Sequence, residues 1–125
     1  MLSSIKRLLQ RSSLYIAVFV TVFITYLSLA KIGPQPISFN HLDKIEHAIA
    51  YATLSFFWLL SFGTTKKKIN IIIGVCIAYG AVIEVLQSTT AYRTFDYADM
   101  IANAIGVLLG MLFFKFFTKN KNLTI

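Results

Sequence analysis

Four stretches of this chain carry no charged side chain: residues 12–30, 48–65, 69–83 and 100–114. Arg11 and Lys31 bracket the first, His47 and Lys66 the second, Lys68 and Glu84 the third, and Asp99 and Lys115 the fourth. The first two approach the ~20 residues with which a helix crosses ~30 Å of hydrocarbon. The last two can span only by drawing in flanking polar residues, so the third helix should run to about Gln87 and the fourth should begin near Ala98. Composition excludes the competing classes. The chain is 57% hydrophobic and 14% charged, against about 45–50% and about 25% for soluble domains. A water-soluble globule of 125 residues has too little interior to hide that much apolar surface, and a disordered chain would need low hydrophobicity. Backbone groups in lipid must be paired internally, and the alternation of a barrel strand is absent. The expectation is an all-α integral membrane protein, one domain over residues 1–125, with a four-helix transmembrane bundle at about 13–31, 45–64, 69–88 and 98–117.

The first segment has some marks of a signal peptide, with Lys6, Arg7 and Arg11 ahead of it and Ser28-Leu29-Ala30 as a small-x-small site. Its apolar stretch exceeds the usual ~7–15 residues and three further spans follow, so it is read as an anchor. The charges orient the bundle. Of 12 Lys and Arg, Lys6, Arg7 and Arg11 precede the first span; Lys66, Lys67 and Lys68 lie between the second and third; Lys115, Lys119 and Lys121 follow the fourth. Only Lys31, Lys44 and Arg93 fall on the other side. Nine against three puts both termini in the cytoplasm by the positive-inside rule, an N-in/C-in arrangement. The +7 balance therefore reports topology. A nucleic-acid role is not supported, because the bases lie in three short flanks with no reading element. Pro34 and Pro36 make the first outer loop extended, and the second interleaves Tyr92, Phe95 and Tyr97 with Arg93 and Asp96, which suits a headgroup zone.

On this topology the five acids and both histidines fall at the outer ends of the helices. Counting 1.5 Å per residue from the cytoplasmic lysines, Glu84 and Asp99 lie about 24 Å along, His47 about 28 Å and Asn103 about 18 Å. The faces agree too. Asp43, His47, Tyr51 and Leu54 form one stripe, Gly80, Glu84 and Gln87 a second, and Asp96, Asp99, Asn103, Gly106 and Gly110 a third. Gly106 and Gly110 form a Gly-x-x-x-Gly that lets a neighbouring helix approach closely. A charge facing lipid costs about 2.5–3.5 kcal/mol, so these groups should face inward. The expected site is an outward-opening polar pocket lined by Asp43, Lys44, His47, Glu84, Gln87, Arg93, Asp96, Asp99 and Asn103. Glu46 points elsewhere on its helix, His41 is a solvated loop residue, and Cys76 is a small packing residue in mid-span.

Three motifs in register resemble those of the VanZ-like family: Asp43-Lys44-Ile-Glu-His47-Ala-Ile-Ala-Tyr51, then Glu84-Val-Leu-Gln87, then Arg93-Thr-Phe-Asp96 with Asp99 and Ala102-Asn103-Ala-Ile-Gly106-Val-Leu-Leu-Gly110. One departure is the Ala91-Tyr92 ahead of Arg93, where family members often have Pro-Gly. The resemblance implies a small multipass protein of the bacterial cytoplasmic membrane, related to an accessory protein of teicoplanin tolerance. It implies no agreed reaction.

Three functions fit these residues. In the first, the pocket binds or modifies a lipid-linked or amphiphilic envelope molecule, such as a lipid-linked cell-wall precursor or a glycopeptide. Lys44 and Arg93 would meet an anionic headgroup. His47 with Glu84 or Asp99 would supply a base and its orienting partner as the catalytic groups, and Asp43, Gln87, Asp96 and Asn103 would complete the binding surface among membrane lipids. No cofactor is expected, and the ligand spacing matches no specific metal site. In the second, the chain is a subunit of a small oligomeric transporter with Glu84 as its proton-linked site. The strong basic bias, and acids at one face instead of at the midplane, speak against this. In the third, the cluster only fixes helix register in a non-catalytic interaction protein, as Gln and Asn do across membrane helices for about 0.6 kcal/mol a pair.

Overall fold

The structure, a computed structural model, describes residues 2–30, 40–89 and 97–121, with side chains described for 4–30, 44–89 and 97–119. Four helices follow in order: α1 (Leu2–Leu29), α2 (Asn40–Phe62), α3 (Lys66–Ser88) and α4 (Tyr97–Lys121). Among the described residues there is no strand. Each helix is long and apolar enough to cross a membrane: the two shorter ones, of 23 residues, extend about 35 Å.

α1 starts at Leu2, well ahead of the span expected from about 13, because nothing between Leu2 and Arg11 breaks a helix. Its 28 residues reach about 42 Å, beyond the hydrocarbon thickness. α2 begins at Asn40, so His41, expected in a loop, stands in its first turn. The turn between α2 and α3 is tight. Gly63 donates its N–H to the Leu59 carbonyl at 2.7 Å, and a Cβ at Gly63 would meet that same oxygen and the Phe114 ring. Thr65 then caps α3, with extended backbone and a side-chain oxygen that accepts from the Lys68 N–H, as an N-cap residue should.

Contacts fix the directions. Lys44 meets Asp99, Ala48 meets Gly106 and Phe56 meets Phe117, so α2 and α4 run parallel. Thr25 meets Tyr79 and Ser28 meets Gln87, so α1 and α3 run parallel. Trp58 against Thr21 and Tyr51 against Gly80 make α2 antiparallel to both α1 and α3. α2 touches all three other helices and is packed most extensively against α4, whereas α1 and α3 barely meet. The protein is inverted relative to a soluble one. Tyr15, Phe19, Val75, Ile105 and Phe113 are exposed, while Ser55, Glu84, Gln87, Asp99 and Asn103 are buried. Apolar surface gains nothing by leaving lipid, so packing and hydrogen bonding hold such helices together.

Candidate functional site

α2 and α4 are held by a seam of small residues. A Cβ on Gly106 would stand 2.3 Å from the Ala48 carbonyl oxygen, and one on Gly110 would stand 2.4 Å from that of Ala52. Real side chains do not approach backbone this closely, so the parallel pair exists only because both positions lack one. Ser55 adds a hydrogen bond across the seam, its hydroxyl donating to the Val107 carbonyl at 3.0 Å.

The same seam, continued toward the N-termini of α2 and α4, turns ionic. The Lys44 ammonium pairs with Asp99 Oδ1. One turn deeper, His47 Nδ1 lies 2.8 Å from Asn103 Oδ1. An amide oxygen only accepts, so that nitrogen carries the proton. Nε2 then lies 3.9 Å from Asp99 Oδ2, an electrostatic spacing beyond hydrogen-bond reach. Asp99 thus stands between a lysine and an imidazole, and Asn103 sets the imidazole's tautomer. The Asp99 and His47 side chains are 11% and 14% exposed, low enough to strengthen their interaction well above its value in water.

The other expected residues divide into three groups. Glu84 is buried on α3, within electrostatic reach of Tyr51. Gln87 is buried beside it in sequence but turns to α1, its amide donating to the Ser28 carbonyl at 3.1 Å. That carbonyl belongs to the last turn of α1, where no intrahelical donor follows. Asp43 lies in α2 outside the described side chains, and Arg93 and Asp96 lie outside the described residues. Glu46 is exposed and Cys76 is buried in the core. Among the described residues, no three of His, Cys, Asp and Glu stand together as metal ligands would.

Two features lie outside the expected set of site residues. Tyr51 is buried, and its hydroxyl has no hydrogen-bond partner among the described residues. Gly80 lies against it, with room for a Cβ only at 3.1 Å from the ring. The burial of Tyr51 follows from the stripe it shares with His47, one turn away. Below this level, Trp58 Nε1 donates to Thr21 Oγ1 at 3.0 Å, and the Tyr79 hydroxyl lies 2.5 Å from Thr25 Oγ1. The pair Thr21 and Thr25, spaced by four on an apolar helix, is the sequence trace of that ladder. Beside it, a groove of about 240 Å³ lies where α1 and α3 stand apart, lined mainly by Leu54, Trp58, Ile72, Val75 and Cys76.

Four apolar helices, a small-residue seam and an ionisable cluster at one end define a small multipass membrane protein. A model of the VanZ/LLP1 family matches residues 2–118, and the chain belongs to that family. It is also 33% identical, over 102 residues, to an uncharacterised protein of the fission yeast Schizosaccharomyces pombe; the match covers 78% of this chain and 60% of the relative. The chain therefore spans less than two thirds of that relative's length. No solved structure matches it.

Proposed function

We propose that the cluster around His47 and Asp99 binds the polar head of an amphiphilic or lipid-linked molecule, with the tail held against the apolar helix faces. The observation that carries this reading is the ion pair of Lys44 with Asp99, with His47 beside it, inside a membrane-spanning seam that the two glycines already hold. Neutral residues would serve packing there as well and at lower cost, since charge within a span is expensive. The proposed orientation is N-in/C-in, which turns the cluster outward. The groove between α1 and α3 offers the tail an apolar bed.

The chemistry available is acid–base. His47, held through Nδ1, has its basic nitrogen toward Asp99, and a proton taken there would be stabilised by that carboxylate. Glu84 is the second acid of the proposed site, and Lys44 is its cation for an anionic head. A relative in fission yeast supports a ligand class wider than a bacterial cell-wall precursor or a glycopeptide. A phosphate- or sugar-bearing lipid is chemistry that both kinds of cell contain.

The test compares wild type with His47→Gln and Glu84→Gln at matched membrane abundance, reading the membrane lipid profile and teicoplanin susceptibility. The expected result is a normally accumulating protein with an altered lipid profile. Unchanged profile and susceptibility in both variants would reduce the cluster to a device for helix register. A changed susceptibility would place the ligand in the cell-wall class.

A further inference from the structure

The opposite end of the bundle contains a second polar feature, which is independent of the cluster just described. A pocket of about 280 Å³ opens between α1 and the turn from α2 to α3, and Gln10, Arg11, Ser61, Thr64 and Lys68 line it. We propose that this pocket binds the phosphate of an anionic phospholipid headgroup.

Three observations converge on that ligand. The first is charge without compensation. All five acids lie at the start of α2, the end of α3, or in and just before the start of α4, so no acidic side chain stands near this end in sequence or in helix direction. Among the described residues neither Arg11 nor Lys68 has an ion-pair partner, which leaves both cations open to an anionic ligand. The second is level. Arg11 is the last charged residue before the uncharged part of α1, and Lys68 the last before that of α3. Both therefore stand at the boundary where lipid phosphates lie, and basic pockets between membrane helices are suited to anionic heads. The third is donor geometry. Arg11 offers a planar fork that matches phosphate oxygens. Lys68 adds a mobile point charge, and Thr64 and Gln10 add neutral donors. The Ser61 hydroxyl gives its proton to the Phe57 carbonyl at 2.8 Å and so is not one of the donors to the phosphate. The pocket borders the start of α3, whose first-turn N–H groups and positive dipole end favour an anion. Leu14 and Phe62 add apolar walls to the pocket, against which an acyl chain would run.

The experiment uses the full chain in nanodiscs of phosphatidylcholine with one tenth phosphatidylglycerol, reading co-purified lipid by native mass spectrometry. Wild type is expected to retain phosphatidylglycerol over phosphatidylcholine. Arg11→Gln with Lys68→Gln should lower that retention by about tenfold or more. Lys66→Gln with Lys67→Gln removes the same charge from exposed positions outside the pocket and should leave retention near wild type. The exchange Arg11→Lys with Lys68→Arg keeps the charge and should keep most of the lipid, which separates loss of the site from loss of the fold. Equal losses in the two neutralised variants would overturn the pocket in favour of a diffuse basic surface. Displacement of the lipid by millimolar glycerol phosphate would overturn the lipid assignment in favour of a soluble phosphate.

Discussion

Asp99 is where the residue-scale energetics concentrate, because a lysine and an imidazole share one carboxylate. Breaking a buried ion pair by removing one member costs about 3–5 kcal/mol, chiefly because the other charge is left behind. Here 28% of the Lys44 side chain is exposed, so water recovers part of that loss. Asp99→Asn is expected to lower stability in detergent by about 1–3 kcal/mol, read as the midpoint of thermal unfolding. The double change Lys44→Met with Asp99→Leu should recover most of it, since no charge then remains in the seam. A double variant no more stable than Asp99→Asn would mean that the pair contributes net stability. The members of this cluster were legible in the sequence because ionisable residues at four-residue spacing on a membrane helix have few places to go. Their pairing was not. Spacing fixes the angle of a side chain on its own helix but not the rotation of the neighbour, so His47 could face either Glu84 or Asp99. The structure gives Nδ1 to Asn103 and sets Asp99 on the side of Nε2. Gln87 shows the same limit: its helix face was clear, while its partner, the Ser28 carbonyl, is a backbone atom that no side-chain pattern announces.

Between elements, the seam of α2 and α4 decides whether the cluster exists at all. Adding one methyl at Gly106 puts it 2.3 Å from a backbone oxygen, which no rotamer change relieves. Gly106→Ala and Gly110→Ala should each destabilise by about 1–3 kcal/mol through overpacking and should separate Lys44 from Asp99. Gly74→Ala is the matched control, with nothing within 4 Å of the added Cβ. It should be neutral or stabilising by up to about 1 kcal/mol, because Gly weakens a helix interior. Thermal midpoints of the three variants check the order, and equal midpoints would mean the helices can part at little cost. The Gly-x-x-x-Gly of α4 was visible in the sequence, yet Ala48, Ala52 and Ser55 across from it were not, since small residues spaced three or four apart are common on apolar helices. The extension of α1 ahead of its expected span has a related cause. Loss of hydropathy marks where the membrane stops, and a helix free of Gly and Pro continues past it.

For the whole molecule, the parallel pairing of α1 with α3 and of α2 with α4 divides the chain into two ends of unlike chemistry. One holds Lys44, His47, Glu84 and Asp99; the other holds the turn from α2 to α3 with Lys66, Lys67 and Lys68. Helix order thus fixes which segments share a side, while only the charge bias says which side is the cytoplasm. A thiol probe that does not cross membranes separates the two, after Cys76, the lone cysteine, is replaced by Ser. In intact cells Ser38→Cys, in the segment joining α1 to α2, should label from outside. Thr65→Cys, in the turn between α2 and α3, should label only once the membrane is opened. Labelling in the reverse sense would turn the polar cluster to the cytoplasm. The proposed ligand would then have to come from the inner leaflet, and the Arg11 and Lys68 pocket would face the outer one. The retention experiment on that pocket is unaffected by this reversal, since nanodiscs have no inside. Labelling therefore fixes the sidedness of both sites without deciding whether either binds its lipid.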